Sequence, residues 1–212
     1  MTPERFATEY PDRCLTLLRA FEDIADRHDL VGTFSIMLAS SVLIIPWERV
    51  RNQHPLRQEA GGVLQHEIRT LERARWLSAD FWDGNPPTSW KFSRIVGDPN
   101  YVHGWVDASE RRSFSEEANT MERRSIGEVF RVLRNALAHG NIVYLDQRGE
   151  ETPGNRVEHL AFLSRYEETP EQREASETYR LVTVGEREFL DFVRSWASWV
   201  SMFAVNDDLR VA

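Results

Sequence analysis

A run of eighteen uncharged residues at positions 30–47 constrains the fold more than any other feature of the chain. By length alone it could cross the hydrocarbon core of a membrane as a helix. It is flanked by Asp29 and Glu48, however, and no cluster of basic residues anchors either side. It also holds small, polar and helix-breaking residues, namely Gly32, Thr33, Ser35, Ser40, Ser41 and Pro46. We therefore predict a buried central helix over 30–51, bent or broken at Pro46, and no membrane association.

Apolar residues recur at helical spacing in four further segments, which a chain of 212 residues can bury in the core of one domain. They predict helices at residues 12–28, 56–79, 115–139 and 186–203. The apolar stripe of the first helix comprises Cys14, Leu17, Leu18, Phe21, Ile24 and Ala25. The inner face of the last comprises Phe189, Phe192, Val193, Trp196, Trp199 and Val200.

After residue 139 the pattern changes from helical to strand-like, with β-branched and aromatic residues that predict strands at 141–146, 157–166 and 179–184. The predicted fold class is therefore mainly α. It is a four- or five-helix bundle in a single domain over 1–212, with a small β insertion at 141–184 before the C-terminal helix.

Residues 83–104 are rich in turn formers, including Asn85-Pro86-Pro87, and they predict a long surface connection. Tryptophans near this connection could stack on nucleic-acid bases or pin the connection to the bundle, and the second role is expected for Trp82, Trp90 and Trp105.

The helix at 115–139 ends in the polar sequence Arg134-Asn135-Ala136-Leu137-Ala138-His139, and Gly140 is a natural helix stop. Its apolar face is formed by Ile126, Val129, Phe130, Leu133, Ala136 and Leu137. Asn135 and His139 are four residues apart and lie on one line away from that face, which Arg131 extends by one turn. Arg134 lies to one side, but its long stem lets the guanidinium reach the same ligand as His139.

The spacing of Arg134, Asn135 and His139 resembles the Arg-polar-x-x-x-His signature of the HEPN superfamily, the higher eukaryote and prokaryote nucleotide-binding domains. The resemblance covers residues 116–141, and the flanking helices agree with it in kind. It implies a HEPN-like bundle of four or five helices that pairs into a homodimer, with two motifs facing each other across a cleft. Many members are metal-independent ribonucleases, often toxins or anti-phage effectors, and others only bind nucleotides or protein partners.

If the site is catalytic, the residue types assign the roles in RNA cleavage. Histidine titrates near neutral pH, so His139 can act as general base or general acid. Arg134 would bind the phosphate and stabilise the charge that develops on it, while Asn135 donates to a phosphate oxygen or orients the imidazole. One histidine supplies one proton-transfer group, so the second role needs the motif of a twofold-related subunit. These roles predict a 2′,3′-cyclic phosphate product, with no metal and no cofactor.

The formal net charge of −8 disfavours indiscriminate binding to RNA. The acidic residues are concentrated in residues 145–212, which carry 14 acidic and 8 basic residues. The segment 121–134, in contrast, has four arginines and two glutamates. We therefore predict RNA contacts at Arg124 and Arg131, and either a short specific substrate or a site that works only in a dimer.

The remaining features bear on the cellular compartment of the protein and on other possible functions. A single cysteine, Cys14, and a start without a secretory signal predict a cytoplasmic protein. The six histidines are scattered rather than at ligand spacing, so no metal site is predicted. Two other interpretations stay open: a non-catalytic HEPN-like module that binds a nucleotide or a protein, and a solvated helix end without a ligand. The resemblance also implies an antitoxin or regulatory protein as a partner.

Overall fold

The structure is a computed structural model that describes residues 6–51, 62–96, 119–152, 156–165 and 178–208. Its α-helices are α1 (Phe6–Arg27), α2 (Val31–Val42), α3 (Ile44–Arg51), α4 (Gly62–Leu71), α5 (Ile126–His139) and α6 (Glu186–Asp208). Its strands are β1 (Lys91–Val96), β2 (Ile142–Leu145), β3 (His159–Arg165) and β4 (Thr178–Gly185). Short 3-10 helices lie at Trp76–Ser78, Asp80–Trp82 and Met121–Arg123. The mainly α fold class with a small sheet is confirmed.

The four strands form one antiparallel sheet in the order β1-β4-β3-β2. The three predicted strands correspond to β2, β3 and β4. The surface connection predicted at 83–104 is wrong at β1, because this six-residue segment pairs with β4 along its whole length. Turn formers precede β1 and its pattern is short, so only the long-range pairing identifies it as a strand. Residues 97–104 of that prediction lie outside the described residues.

The uncharged run forms half-buried α2 and short α3, so the predicted central helix is present but in two pieces. The break falls at Leu43, three residues before Pro46. Proline has no N–H to donate to the carbonyl four residues earlier, which here belongs to Val42. That carbonyl instead accepts a hydrogen bond from Trp196 Nε1 at 3.0 Å. Among the described helices, none is long and apolar enough to cross a membrane.

Aromatic side chains fill the core between α5 and α6. Phe130 of α5 stacks on Trp47 at 4.7 Å between ring centroids and meets Trp196 of α6 edge-on at the same distance. All six inner-face residues predicted for the C-terminal helix are buried. Trp82 and Trp90 are also buried, which confirms that these rings pin their segment to the bundle; Trp105 lies outside the described residues. One face of the sheet completes this core through Phe92, Leu160, Phe162, Val182 and Val184.

The start of α2 is bonded both to α6 and to strand β2. Gly32 donates its backbone N–H to Glu186 Oε2 at 3.0 Å, so the first residue of α6 caps α2. Burial raises the pKa of Glu186 above its ordinary value, against the effect of this hydrogen bond. A Cβ on Gly32 would lie 3.2 Å from Oε2, so the absence of a side chain permits this approach. The hydroxyls of Thr33 and Tyr144 share a hydrogen bond of 3.0 Å, which ties β2 to the same helix.

Three helix predictions need correction. The first helix begins at Phe6 rather than at residue 12. Its Leu17, Phe21 and Ile24 are 48%, 47% and 42% exposed, because α2 and α6 cover only the flank of the stripe that holds Cys14, Leu18 and Ala25. The helix predicted at 56–79 ends at Leu71, where the chain turns towards buried Trp76; residues 56–61 lie outside the described residues. The helix predicted at 115–139 begins at Ile126, since residues 119–125 form a short 3-10 turn and a cap; residues 115–118 lie outside the described residues.

Candidate functional site

The N-terminal end of α5 is held by a complete set of hydrogen bonds. Ser125 and Glu128 form a capping box, in which Ser125 Oγ accepts the Glu128 N–H at 3.3 Å and Glu128 Oε2 accepts the Ser125 N–H at 2.9 Å. The next two N–H groups, of Ile126 and Gly127, donate to the carbonyls of Ala74 and Glu72. The start of the helix is thereby fixed to the segment that follows α4.

Arg124 belongs to this N-terminal end. Its guanidinium carbon lies 4.5 Å from the centre of the Phe92 ring, and its Nη1 donates to Glu128 Oε1 at 3.0 Å. Its Nε and Nη2 both donate to Thr120 Oγ1. These contacts hold Arg124 against β1 and the capping box, at the opposite end of a 14-residue helix from His139. Such a helix is about 21 Å long, so the structure does not bring Arg124 together with the motif. Its role in RNA binding stays a prediction.

Burial of Glu128 raises its pKa, but the Ser125 N–H and the charge and hydrogen bond of Arg124 together lower the pKa below the ordinary value. The carboxylate is thus stabilised in its ionised form at the end of the helix where the macrodipole also favours an anion.

The C-terminal end of α5 stops where the sequence predicts. Gly140 adopts φ +71°, a left-handed conformation that glycine accepts without strain, and the backbone N–H groups of Gly140 and Asn141 both bond to the Ala136 carbonyl. The chain then enters β2 within two residues. His139 is therefore the last residue of a helix that ends abruptly at the edge of the sheet.

Arg134 and Asn135 meet through their side chains just before this end. Arg134 Nη2 donates to Asn135 Oδ1 at 3.1 Å, and Asn135 Nδ2 donates to Ser164 Oγ of β3 at 3.0 Å. Both motif side chains are half-buried, whereas Ser164 is only 3% exposed. The arginine that helical geometry places to one side thus reaches back to the line of Asn135.

His139 and Arg131 are exposed. His139 lies one helical turn after Asn135, and Arg131 lies one turn before it, so neighbouring Cβ atoms along this line are about 5–6 Å apart. His139 makes no hydrogen bond or ion pair within the described part of the chain. The structure therefore groups Arg131, Arg134, Asn135 and His139 on one accessible strip of α5. That the last three are catalytic and that Arg131 binds RNA stay predictions.

Ser164 was not predicted as part of the site. It follows four buried residues of β3, so the only local signal is a serine at the end of an apolar strand, which is common in sheets. Its contact with Asn135 joins residues 29 positions apart, and no sequence pattern encodes that pairing.

A cavity and a metal-binding cluster are two other kinds of functional site. A cavity of about 600 Å³ lies between α1 and α6, and its lining includes Asp12, Arg13 and Ser198 but no motif residue. No group of three His, Cys, Asp or Glu side chains that could hold a metal ion occurs in the ranges that the structure describes.

The fold and the strip together define a class of protein: a helical bundle in which a polar Arg-Asn-x-x-x-His motif ends a helix beside a small antiparallel sheet. The family model described as HEPN pEK499 p136 matches residues 1–205, so the chain belongs to this HEPN family. No curated protein and no solved structure matches the chain significantly.

Proposed function

We propose that the protein is a metal-independent endoribonuclease of the HEPN type, which cleaves RNA at the C-terminal end of α5 and leaves a 2′,3′-cyclic phosphate. The observation that carries the proposal is the contact of Arg134 with Asn135 one turn before an exposed histidine, in a member of a HEPN family. An imidazole can transfer a proton, and an arginine and a carboxamide can donate to the phosphate, so the three groups can contribute to phosphodiester cleavage without a metal.

In this proposal Arg134 binds the scissile phosphate and stabilises the negative charge of the transition state. A guanidinium carries five N–H donors in a planar fork, a geometry that suits the oxygens of a phosphate. His139 takes the proton from the 2′-hydroxyl or protonates the leaving 5′-oxygen, and its exposure gives RNA access to the ring.

The two proton transfers need two groups, and each chain supplies one histidine in this strip. We therefore propose that two chains pair with their motifs facing each other, and that one His139 from each chain serves the reaction. Heterodimers of one wild-type and one His139→Ala chain test this arrangement. They should lose nearly all activity, whereas activity near half of the wild-type value would show that each chain works alone.

Arg131 is proposed to contact the RNA backbone beside the reacting phosphate. Arg131→Ala should weaken binding of a non-cleavable oligonucleotide and lower the slope of log K against log salt by roughly one unit. Arg124→Ala is the matched comparison, and an equal loss of affinity and slope would support the predicted RNA contact at Arg124 as well.

A second candidate function is a non-catalytic module that binds a nucleotide or a protein partner. It is favoured by the engagement of both polar atoms of Asn135 with groups of the same chain, since a catalytic amide would have to share them with the substrate. In that case the protein binds nucleotides or RNA but does not cleave RNA. Arg134→Ala then lowers only the affinity for the ligand.

The direct test is incubation of the purified chain with total and transfer RNA in excess EDTA, followed by mapping of the cleaved ends. The proposal predicts cleavage that EDTA leaves unchanged, with 2′,3′-cyclic phosphate and 5′-hydroxyl ends. Loss of cleavage in EDTA and its return with a divalent ion would overturn the metal-independent mechanism.

We also propose that this activity serves as a cytoplasmic toxin or anti-phage effector, controlled by an antitoxin or regulatory protein. Expression in a bacterial host should then slow growth, and the His139→Ala variant at equal protein level should not. Equal toxicity of the two proteins would separate the growth effect from RNA cleavage.

A further inference from the structure

Ser164 connects the sheet to the motif at a buried position. Its side chain is 3% exposed, and its hydroxyl oxygen accepts the Asn135 Nδ2–H at 3.0 Å. We propose that Ser164 is a positioning residue of the site: it holds the Asn135 carboxamide in the one orientation that presents Oδ1 to Arg134. The inference rests on the proposed nuclease function, and it adds a residue of the β insertion to the machinery.

The hydrogen-bond pattern determines the orientation of the amide. With Nδ2 donating to Ser164, the carbonyl oxygen Oδ1 faces Arg134 Nη2, which can only donate. A flipped amide would turn its own NH₂ group towards the guanidinium and lose that hydrogen bond. The Ser164 hydroxyl donates weakly to the Arg165 carbonyl at 3.4 Å, which leaves its lone pairs to accept from Asn135.

β3 holds the motif on both sides of His139. Before the histidine, Ser164 binds the Asn135 side chain; after it, the Leu163 N–H donates to the Asn141 carbonyl at 3.0 Å. Two adjacent residues of one strand thus fix the chain four residues before and two residues after the imidazole. Because β3 lies inside the sheet between β4 and β2, it is a rigid support for this purpose.

Removal of the Ser164 hydroxyl frees the Asn135 amide to rotate, so the Arg134 guanidinium loses a fixed acceptor at Asn135 Oδ1. Arg134 remains present and charged, so binding of RNA in the ground state changes little while the alignment for reaction is lost. A general loss of stability would instead lower the amount of active protein without a specific effect on kcat per folded molecule.

The test compares three variants of the full chain on a defined RNA in EDTA, normalised to the folded fraction. Ser164→Ala should lower kcat about ten-fold with KM within about two-fold, and Ser164→Thr, which keeps the hydroxyl, should recover most of that loss. Ser93→Ala is the control, because Ser93 is a buried serine of the same sheet paired with Leu181, which packs in the cluster on the other face. Its cleavage should equal that of the wild type. Wild-type rates for Ser164→Ala, or an equal loss in Ser93→Ala, would overturn the inference.

A second measurement separates this inference from the proposed function. In ¹⁵N-labelled protein, the Asn135 side-chain NH₂ should exchange with solvent slowly in the wild type and much faster in Ser164→Ala. Equal exchange in the two proteins would overturn the positioning role whatever the activity. If exchange differs as expected but the wild type cleaves no RNA, the nuclease proposal alone fails, and Ser164 positions a binding site.

Discussion

The two ends of α5 carry similar polar residues and use them differently. At the N-terminal end, Glu128 bonds to both Ser125 and Arg124, and the Arg124 guanidinium lies over the Phe92 ring. The first N–H groups of the helix donate to neighbouring carbonyls. At the C-terminal end, His139 is exposed and bonds to none of the described residues, while Asn141 beside it is exposed as well.

The difference shows how a polar residue's role can be inferred from its partners. The side chains at the start of the helix satisfy the backbone and each other, so we expect them to contribute to stability. The side chains at its end include an exposed imidazole, one turn after an asparagine that bonds to both Arg134 and Ser164. We therefore expect substitutions at the N-terminal end to lower stability and substitutions at the C-terminal end to lower activity.

The largest effect is expected for His139→Ala. Loss of a proton-transfer group should lower the cleavage rate by about 10²–10⁴-fold. Because the side chain is exposed, the free energy of unfolding should change by no more than about 0.5 kcal/mol. Single-turnover cleavage measures the rate, and urea denaturation measures the stability. A destabilisation large enough to explain the lost activity would show that His139 has a structural role instead.

Arg134→Ala should come next, with cleavage about 10²–10³-fold slower because one donor to the transition-state phosphate is lost. Arg134→Lys keeps the charge but not the planar fork, so it should restore only a small part of the rate. Full rescue by lysine, measured in the same assay, would mean that a point charge suffices and that the contact with Asn135 is incidental.

At the other end, Ser125→Ala should cost about 1 kcal/mol of stability through the lost cap, with cleavage per folded molecule unchanged. Ser125→Gly is the milder control, since glycine is tolerated at this position and costs only about a few tenths of a kcal/mol. The urea midpoints of the two variants measure their relative stability, and Ser125→Ala should have the lower midpoint. If fully folded Ser125→Ala protein lost cleavage, the N-terminal end of α5 would also take part in the reaction.

The smallest effect concerns pH. The pKa of Glu128 lies below its ordinary value of about 4.3, so its ionised form contributes stability above that pH, and the contribution is lost as the pH falls through the folded-state pKa. Glu128→Gln should therefore flatten the acid limb of the stability curve, measured by thermal unfolding between pH 3 and 7 at about one-unit steps. An unchanged acid limb would show that Arg124 and Ser125 do not stabilise this carboxylate.

Much of the site could be predicted because its determinants are local. The apolar face of α5, the stop at Gly140 and the spacing of Arg134, Asn135 and His139 all depend on residues within a few turns of one another. The strands after residue 139 have the same kind of local pattern. The family model that matches residues 1–205 agrees with the HEPN resemblance that this motif suggests.

What could not be predicted depends on contacts between distant segments. The contacts of Arg124 are one case: its guanidinium lies on Phe92 of a strand that forms only by pairing with β4, while its RNA contact stays a prediction. In the same way, the support of Asn135 by Ser164 depends on the packing of α5 against β3. Charge patterns along the chain do not reveal which arginines the fold itself uses.

The most direct test of this division of α5 compares Ser125→Ala and His139→Ala in one experiment, with unfolding free energy and RNA cleavage in EDTA measured on the same samples. We expect opposite rankings: Ser125→Ala is the less stable and remains active, while His139→Ala is as stable as the wild type and inactive. Activity that falls in both variants in proportion to lost stability would contradict it.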